Sequence, residues 1–233
     1  METTRSEMVL GPPPVRDTIG ASVYRRLREA ILIGRIPMGT RINELELASA
    51  WQISRTPIRD ALQRLEAEGL VQATAGRGMV VPRLSSAEVE ELYAVREALE
   101  GMAARRAAER TATQFLAQLN TQLKNYGVAL KQEDIAQLVA ADGALHDVIA
   151  QMAQNRRLEQ AIQTARWRVH QVHARSFRLK GRASKTFREM AKVVAAIRTK
   201  DAARAEVSLR EHLASLRSDV VENFDELTAT EPP

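Results

Sequence analysis

The sequence predicts a mainly α protein in two unequal parts: a short segment of small helices with one β-hairpin, then a longer segment that is helical throughout. Three observations lead there. Apolar residues recur at three- and four-residue intervals over most of the 233 positions, the period of one helix face. Strand-like character is confined to one stretch, LVQATAGRGMVV, around a Gly76-Arg77-Gly78 tip. Hydrophobic residues make up 45% of the chain and aromatic ones only 4%, so the core is drawn mainly from Leu, Ile, Val and Ala, which favours helices.

Composition also removes whole classes of function. With no cysteine there is no disulfide framework, no thiolate zinc site and no cysteine nucleophile. The opening METTRSEMVLGPPP lacks the apolar centre of a signal peptide, and no run approaches the roughly eighteen apolar residues of a membrane span. The expectation is a soluble, cytoplasmic protein without a membrane partner. The net charge of +5 permits a polyanionic partner, and the N-terminal third is the more basic part per residue. Most of the 34 cations are arginine, the side chain suited to planar two-point contacts with phosphate, carboxylate or guanine.

The first segment spans residues 18–82, after a tail at 1–17. Ile19, Val23, Leu27, Ile31 and Leu32 predict a helix that breaks at Gly34 and Pro37. Asn43 is a good N-cap for a second short helix carrying Leu45, Leu47, Ala48 and Trp51. Ser54 caps a third, in which Pro57 is tolerated in the first turn. On that third helix Ile58, Ala61, Leu62 and Leu65 form the buried stripe, while Arg55, Arg59 and Gln63 follow at i, i+4 on another face. Gly69 ends it, and two short strands follow around the glycine tip.

Three short helices and a hairpin in this order describe a winged helix-turn-helix, whose third helix enters the major groove with its N-terminal residues on the base edges. Ser54 and Thr56 hydroxyls and the free backbone N–H groups can meet phosphate, while Arg55 and Arg59 reach guanine O6 and N7. A solvated face could also carry two arginines; the cap, the hairpin and the basic tip arriving in order favour DNA.

The stretch GTRINELELASAWQISRTPIRDALQRLEAEGLVQATAGRGMVV resembles the DNA-binding domain of the GntR family of bacterial transcription regulators, with SRTPIRDALQRLEAEGL its most specific part. The resemblance implies operator contacts from Ser54, Arg55, Thr56 and Arg59, with Gly76 and Arg77 of the wing against the backbone or minor groove. Gln52, in the turn before Ser54, stands where the family usually has Gly. If that residue adopts φ > 0, its side chain costs on the order of 1 kcal/mol.

After a hinge at 83–86, residues 87–227 carry amphipathic windows beginning near Ser86, Thr113, Gln132, Asn155, Lys185 and Asp201, with breaks such as Gly127 and Gly181. Six or seven such helices pack as an antiparallel bundle, the effector-binding and dimerisation domain; 228–233 is a second tail. Asp142 and His146, at i, i+4 in DGALHDVIA, project from one helix face and could chelate a divalent metal; His212 in REHLASL also falls on an apolar face. A histidine among Leu and Ala is more often a satisfied core residue than a ligand.

VREALEGMAARRAA, DGALH, QNRRLEQ and REHL, at matching intervals, are similar to the helical FCD effector domain of the FadR-type branch of the same family. In many members an Asp, a His four residues on and two later His hold a metal, and a small organic acid coordinates it. Asp142, His146 and His212 match three of those positions, and Met190 occupies the fourth. A thioether is a poor substitute for imidazole toward zinc, nickel or manganese. Either three ligands suffice with water or an effector carboxylate, or the site is metal-free, or His170 and His173 reach in from a neighbouring helix. Arg96 corresponds to the family's arginine near the cavity, where it could pair with the effector; the plainer reading is a helix-surface ion pair with Glu100 at i, i+4. Arg166 and Arg168 are further cations nearby.

The resulting expectation is a homodimeric, ligand-responsive regulator, by default a repressor, that binds a palindromic double-stranded operator and takes a small carboxylate effector. The alternatives are a metal-free regulator of a larger acyl-type ligand, a constitutive DNA-binding protein, and a metal-dependent enzyme with an accessory DNA-binding module. No HExxH-like signature supports the last.

Overall fold

The computed structural model describes residues 19–74, 78–110 and 113–229. The first unit holds α1 (Ile19–Leu32), α2 (Glu44–Trp51) and α3 (Arg55–Ala67), with strands β1 (Arg41–Ile42), β2 (Gln72–Thr74) and β3 (Gly78–Val80). The strands form one antiparallel sheet in the order β1-β3-β2, with Met79 opposite both Ile42 and Ala73. The predicted hairpin is therefore a three-stranded sheet; β1 is two residues long with only Ile42 buried, too short to show a period.

The predicted stripe of α3 is its buried face: Ile58, Ala61, Leu62 and Leu65 pack against Val23, Leu27 and Ile31 of α1. Burying each large aliphatic side chain here contributes about 1.5–3 kcal/mol. Asn43 caps α2 by accepting from Leu45 N at 2.9 Å. Ser54 stands at the N-cap of α3 but its hydroxyl makes no capping bond, so the expected cap is one of position only. Gln52 does adopt the left-handed conformation, φ 52°, between α2 and α3. Gly69, φ 73°, ends the third helix, as expected. The wing residues Gly76 and Arg77 lie outside the described residues, as do both terminal tails through residue 18 and from residue 230.

The second unit is an all-α bundle: α4 (Ser86–Glu109), α5 (Thr113–Gln132), α6 (Ile135–Met152), α7 (Arg156–Ser176), α8 (Arg182–Arg198), α9 (Ala202–Glu222) and a short α10 (Phe224–Thr228). Ser85 opens α4 with a reciprocal capping box to Glu88. α4 is central and lies along α9; Gly101, Ala104 and Ala108 keep its inner side low, and a Cβ on Gly101 would stand 2.8 Å from the Arg210 side chain. Gly127 is not a break: it sits inside α5, facing Phe187. The turns around α6 and α8 fall instead at Glu133, Gln154 and Lys200, non-glycine residues with φ near 50°, and at Gly181. No glycine marks these three helix ends, but each is followed at once by the capping side chain of the next helix, Asp134, Asn155 or Asp201, close to the starts expected at Gln132, Asn155 and Asp201.

The two units meet through α7 as well as through the chain between them. Gln171 Nε2 donates to the carbonyls of Ile31 (2.6 Å) and Ile36 (3.1 Å), and its Oε1 accepts from Met38 N at 3.2 Å. His170 Nδ1 donates to Leu32 O at 2.9 Å, and the Arg28 guanidinium stacks 3.8 Å from the Trp167 ring centre.

Candidate functional site

The outward face of α3 carries Ser54, Arg55, Thr56 and Arg59, all exposed, on the side opposite the buried stripe. The two arginines share one anion. Arg55 Nη2 and Arg59 Nη2 donate to the same oxygen of Glu44, at 3.1 and 3.2 Å. The hydrogen bond from Arg59 holds the Glu44 carboxyl below its ordinary range. This partner escaped sequence reasoning because it is eleven residues away on another helix.

A second site is buried in the bundle. Asp142 and His146 project from one face of α6, and His212 reaches them from α9; one donor atom of each lies within 4.8 Å of the others. Each is held from behind by a different group. His146 Nδ1 donates to Glu100 Oε2 at 2.5 Å, and Glu100 is held in turn by Arg96 Nε at 2.7 Å. His212 Nδ1 donates to Glu189 Oε2 at 2.9 Å; Glu189 also accepts from Ser215 and from the buried Arg182. His173 Nε2 donates to Asp142 Oδ2 at 3.0 Å.

Because a carboxylate only accepts, these bonds put the histidine protons on Nδ1 of His146 and His212 and leave each Nε2 lone pair facing inward. The buried atoms without a hydrogen-bond partner include Asp142 Oδ1, His146 Nε2 and His212 Nε2, the three that converge. Three buried acceptors left without a partner are costly, and a cation would meet all three at once.

Charge states agree with the geometry. Burial alone would raise the Asp142 carboxyl, but the His173 hydrogen bond and the nearby imidazoles outweigh it and hold it well below the carboxylate range. Burial lowers His212, and lowers His173 to about 4, against the opposing pull of their carboxylate partners. A metal requires an ionised carboxylate and unprotonated imidazole nitrogens, and the shifts of Asp142 and His212 are in that direction. The donor set therefore fits a divalent transition metal.

Met190 is wholly buried in the apolar core of the bundle, and it is its neighbour Glu189 that serves the cluster. His173 does reach the cluster, as a partner of Asp142; His170 lies at the junction with the first unit instead. Arg96 is paired with Glu100, though not on the surface: it is 2% exposed. With Asp142, Arg166 and His173 it lines a small cavity of about 20 Å³, room for roughly one water. Glu100 was legible only as the i, i+4 partner of Arg96, not as the group behind His146, and Glu189 was missed altogether; both roles are revealed only by the packing.

Residues 19–81 match the model of the gntR family of bacterial regulatory proteins, and residues 91–215 match the FCD domain. The chain belongs to the GntR family, with an FCD domain. The HTH-type transcriptional regulator YdfH of Escherichia coli O6:H1 is 27% identical over 92% of this chain and 92% of its own length. The HTH-type transcriptional repressor RspR of Escherichia coli K12 is 26% identical over 87% of this chain and 89% of its own. The structure of McbR/YncC from E. coli has the same fold, with a TM-score of 0.79 at 21% identity over 89% of this chain and 99% of that one. The protein is thus a GntR/FCD transcription regulator and not an enzyme, as its family and relatives are regulators. No described helix is long and apolar enough to cross a membrane.

Proposed function

We propose that this regulator binds a palindromic operator as a homodimer, and that a divalent metal with a small carboxylate effector in the FCD domain controls that binding. A twofold protein reads a twofold site, one α3 per half. Ser54, Arg55, Thr56 and Arg59 supply the contacts from α3, and Gly76 and Arg77 those of the wing. Repression relieved by the effector is the direction favoured by the relatives named as repressors.

The observation that carries the metal reading is the convergence of three buried, unpartnered acceptors, Asp142 Oδ1, His146 Nε2 and His212 Nε2, each aimed by its own hydrogen bond from behind. Zinc, nickel or manganese bound there would supply Lewis acidity and a positive charge for an anionic effector. Arg96 and Arg166 line the small cavity beside Asp142 and could turn to an effector carboxylate in exchange for their present partners, Glu100 and Asp147. Since the space beside them holds about one water, an effector carboxylate enters by displacing the side chains that line it.

The test is metal content by inductively coupled plasma mass spectrometry after equilibrium dialysis of the full chain against zinc, nickel or manganese. One equivalent per chain in the wild type and none in His146→Ala is expected; equal content in both would refute the site.

A further inference from the structure

A larger cavity lies outside the metal cluster, at the junction of the two units, with a volume of about 430 Å³. That is within the range of small-molecule sites, roughly 300–1,000 Å³. Its walls come from the end of α1, the start of α6, and the end of α7 with the turn after it. One side is aliphatic, formed by Leu32, Ile33, Ile135 and Val139; Ile33 is 52% exposed, unusual for an isoleucine with a neighbouring core available. The other side is basic, with Arg175 in the last turn of α7 and Arg178 in the turn that follows it; Arg175 Nη1 already donates to the carbonyls of Leu227 and Ala229, and among the described residues no carboxylate side chain lines the cavity.

The polar floor is the set of groups that joins the two units. His170 and Gln171 both line the cavity, and between them they make four hydrogen bonds to the backbone of residues 31–38. With its Nδ1 committed to Leu32 O, His170 has only Nε2 left for another partner. His170 and Val139 also line the small inner cavity beside Asp142, so these two side chains are all that is common to both spaces.

We propose that this junction cavity is a second ligand site, for a small amphipathic monocarboxylate whose apolar body lies on Leu32, Ile33, Ile135 and Val139 and whose carboxylate lies toward Arg175 and Arg178. The occupant touches both units at once. It therefore biases their relative orientation through the His170 and Gln171 contacts, without needing the metal cluster.

The test uses octanoate and naphthoate as probes, titrated by isothermal calorimetry into the full-length protein and three variants. Ala174→Trp on α7 and Ala136→Trp, at an exposed position on the opposite wall, fill the cavity from either side. The expected result is one saturable site per chain in the wild type, weakened roughly tenfold or more in whichever tryptophan variants keep the wild-type melting temperature. Absence of saturable binding overturns the proposal, as does unchanged binding in a folded tryptophan variant. Loss of binding in His212→Ala with retention in the tryptophan variants would put the probe in the inner cluster, and would equally overturn it.

Discussion

Replacing Gln171 by Leu tests whether α7 couples the two units. The side chain is buried and makes three hydrogen bonds across the junction, to Ile31 O, Ile36 O and Met38 N. A neutral bond contributes about 0.5–1.5 kcal/mol net, so the three together contribute roughly 1.5–4.5 kcal/mol. The lower half of that range applies, because the Ile31 carbonyl keeps its bond from Gly34 N at 3.1 Å and leucine restores apolar burial. The expected loss is about 2–3 kcal/mol. Urea unfolding, followed by tryptophan fluorescence and by far-ultraviolet circular dichroism, reads it: Trp51 lies in the first unit and Trp167 on α7, whereas dichroism is dominated by the bundle. In the variant the fluorescence midpoint should fall below the dichroism midpoint, as the first unit opens separately. A shift smaller than about 0.5 kcal/mol, with the two midpoints still coincident, would show that the Gln171 bonds do not couple the units.

Other expectations are open to direct measurement. Arg59→Ala should abolish specific operator binding in a mobility-shift assay while moving the melting temperature little, since the side chain is 54% exposed and a surface ion pair is worth about 0–1 kcal/mol. Met190→His should strengthen zinc binding by calorimetry if position 190 lies beside the cluster; an unchanged affinity would mean the two are not in register. Metal-free protein should lose stability on acidification from neutral pH. Burial lowers the folded-state pKa of His170, and that of His173 to about 4, whereas an unfolded imidazole titrates near 6.5, so between those values the unfolded chain binds more protons and stability rises with pH. His173 alone accounts for about 3 kcal/mol, lost as pH falls from roughly 6.5 to 4. Denaturation midpoints independent of pH in that window would contradict it.

The sequence was most informative where a short-range rule governs the outcome. The α3 stripe follows from helical period and the Asn43 cap from local hydrogen bonding, while the positive φ of Gln52 was suggested only by the glycine that the family usually has there. The starts of α6, α7 and α9 were legible near Gln132, Asn155 and Asp201, but not that Glu133, Gln154 and Lys200 turn the chain in the left-handed conformation, nor a strand only two residues long. In the candidate metal site the i, i+4 pair Asp142 and His146 was legible, and a helix pattern could also nominate His212. The groups behind them were not. Glu100 and Glu189 are 46 and 23 residues from the histidines they hold, and only the packing of α4 on α6 and of α8 on α9 brings them there. The Glu44 pairing is hidden in the same way, 11 and 15 residues from its arginines and on another helix.

Glu44 gives the recognition helix a property that its two arginines would not have alone. In the free protein both guanidiniums already rest on one carboxylate, so the surface offered to any polyanion is closer to neutral than a count of cations suggests. Docking on nucleic acid exchanges one anion for another, and leaves Glu44 beside phosphate unless guanine draws the arginines away from it. Random sequence, which offers phosphate alone, returns less for that exchange than a guanine edge does. Fewer condensed counterions are released per bound arginine, and the affinity should fall less steeply with salt than two free cations per half-site would require. If Arg55 and Arg59 make the proposed operator contacts, the Glu44 carboxylate is a tax on the wrong sites, and the regulator would search the genome with a lighter grip than its charge implies.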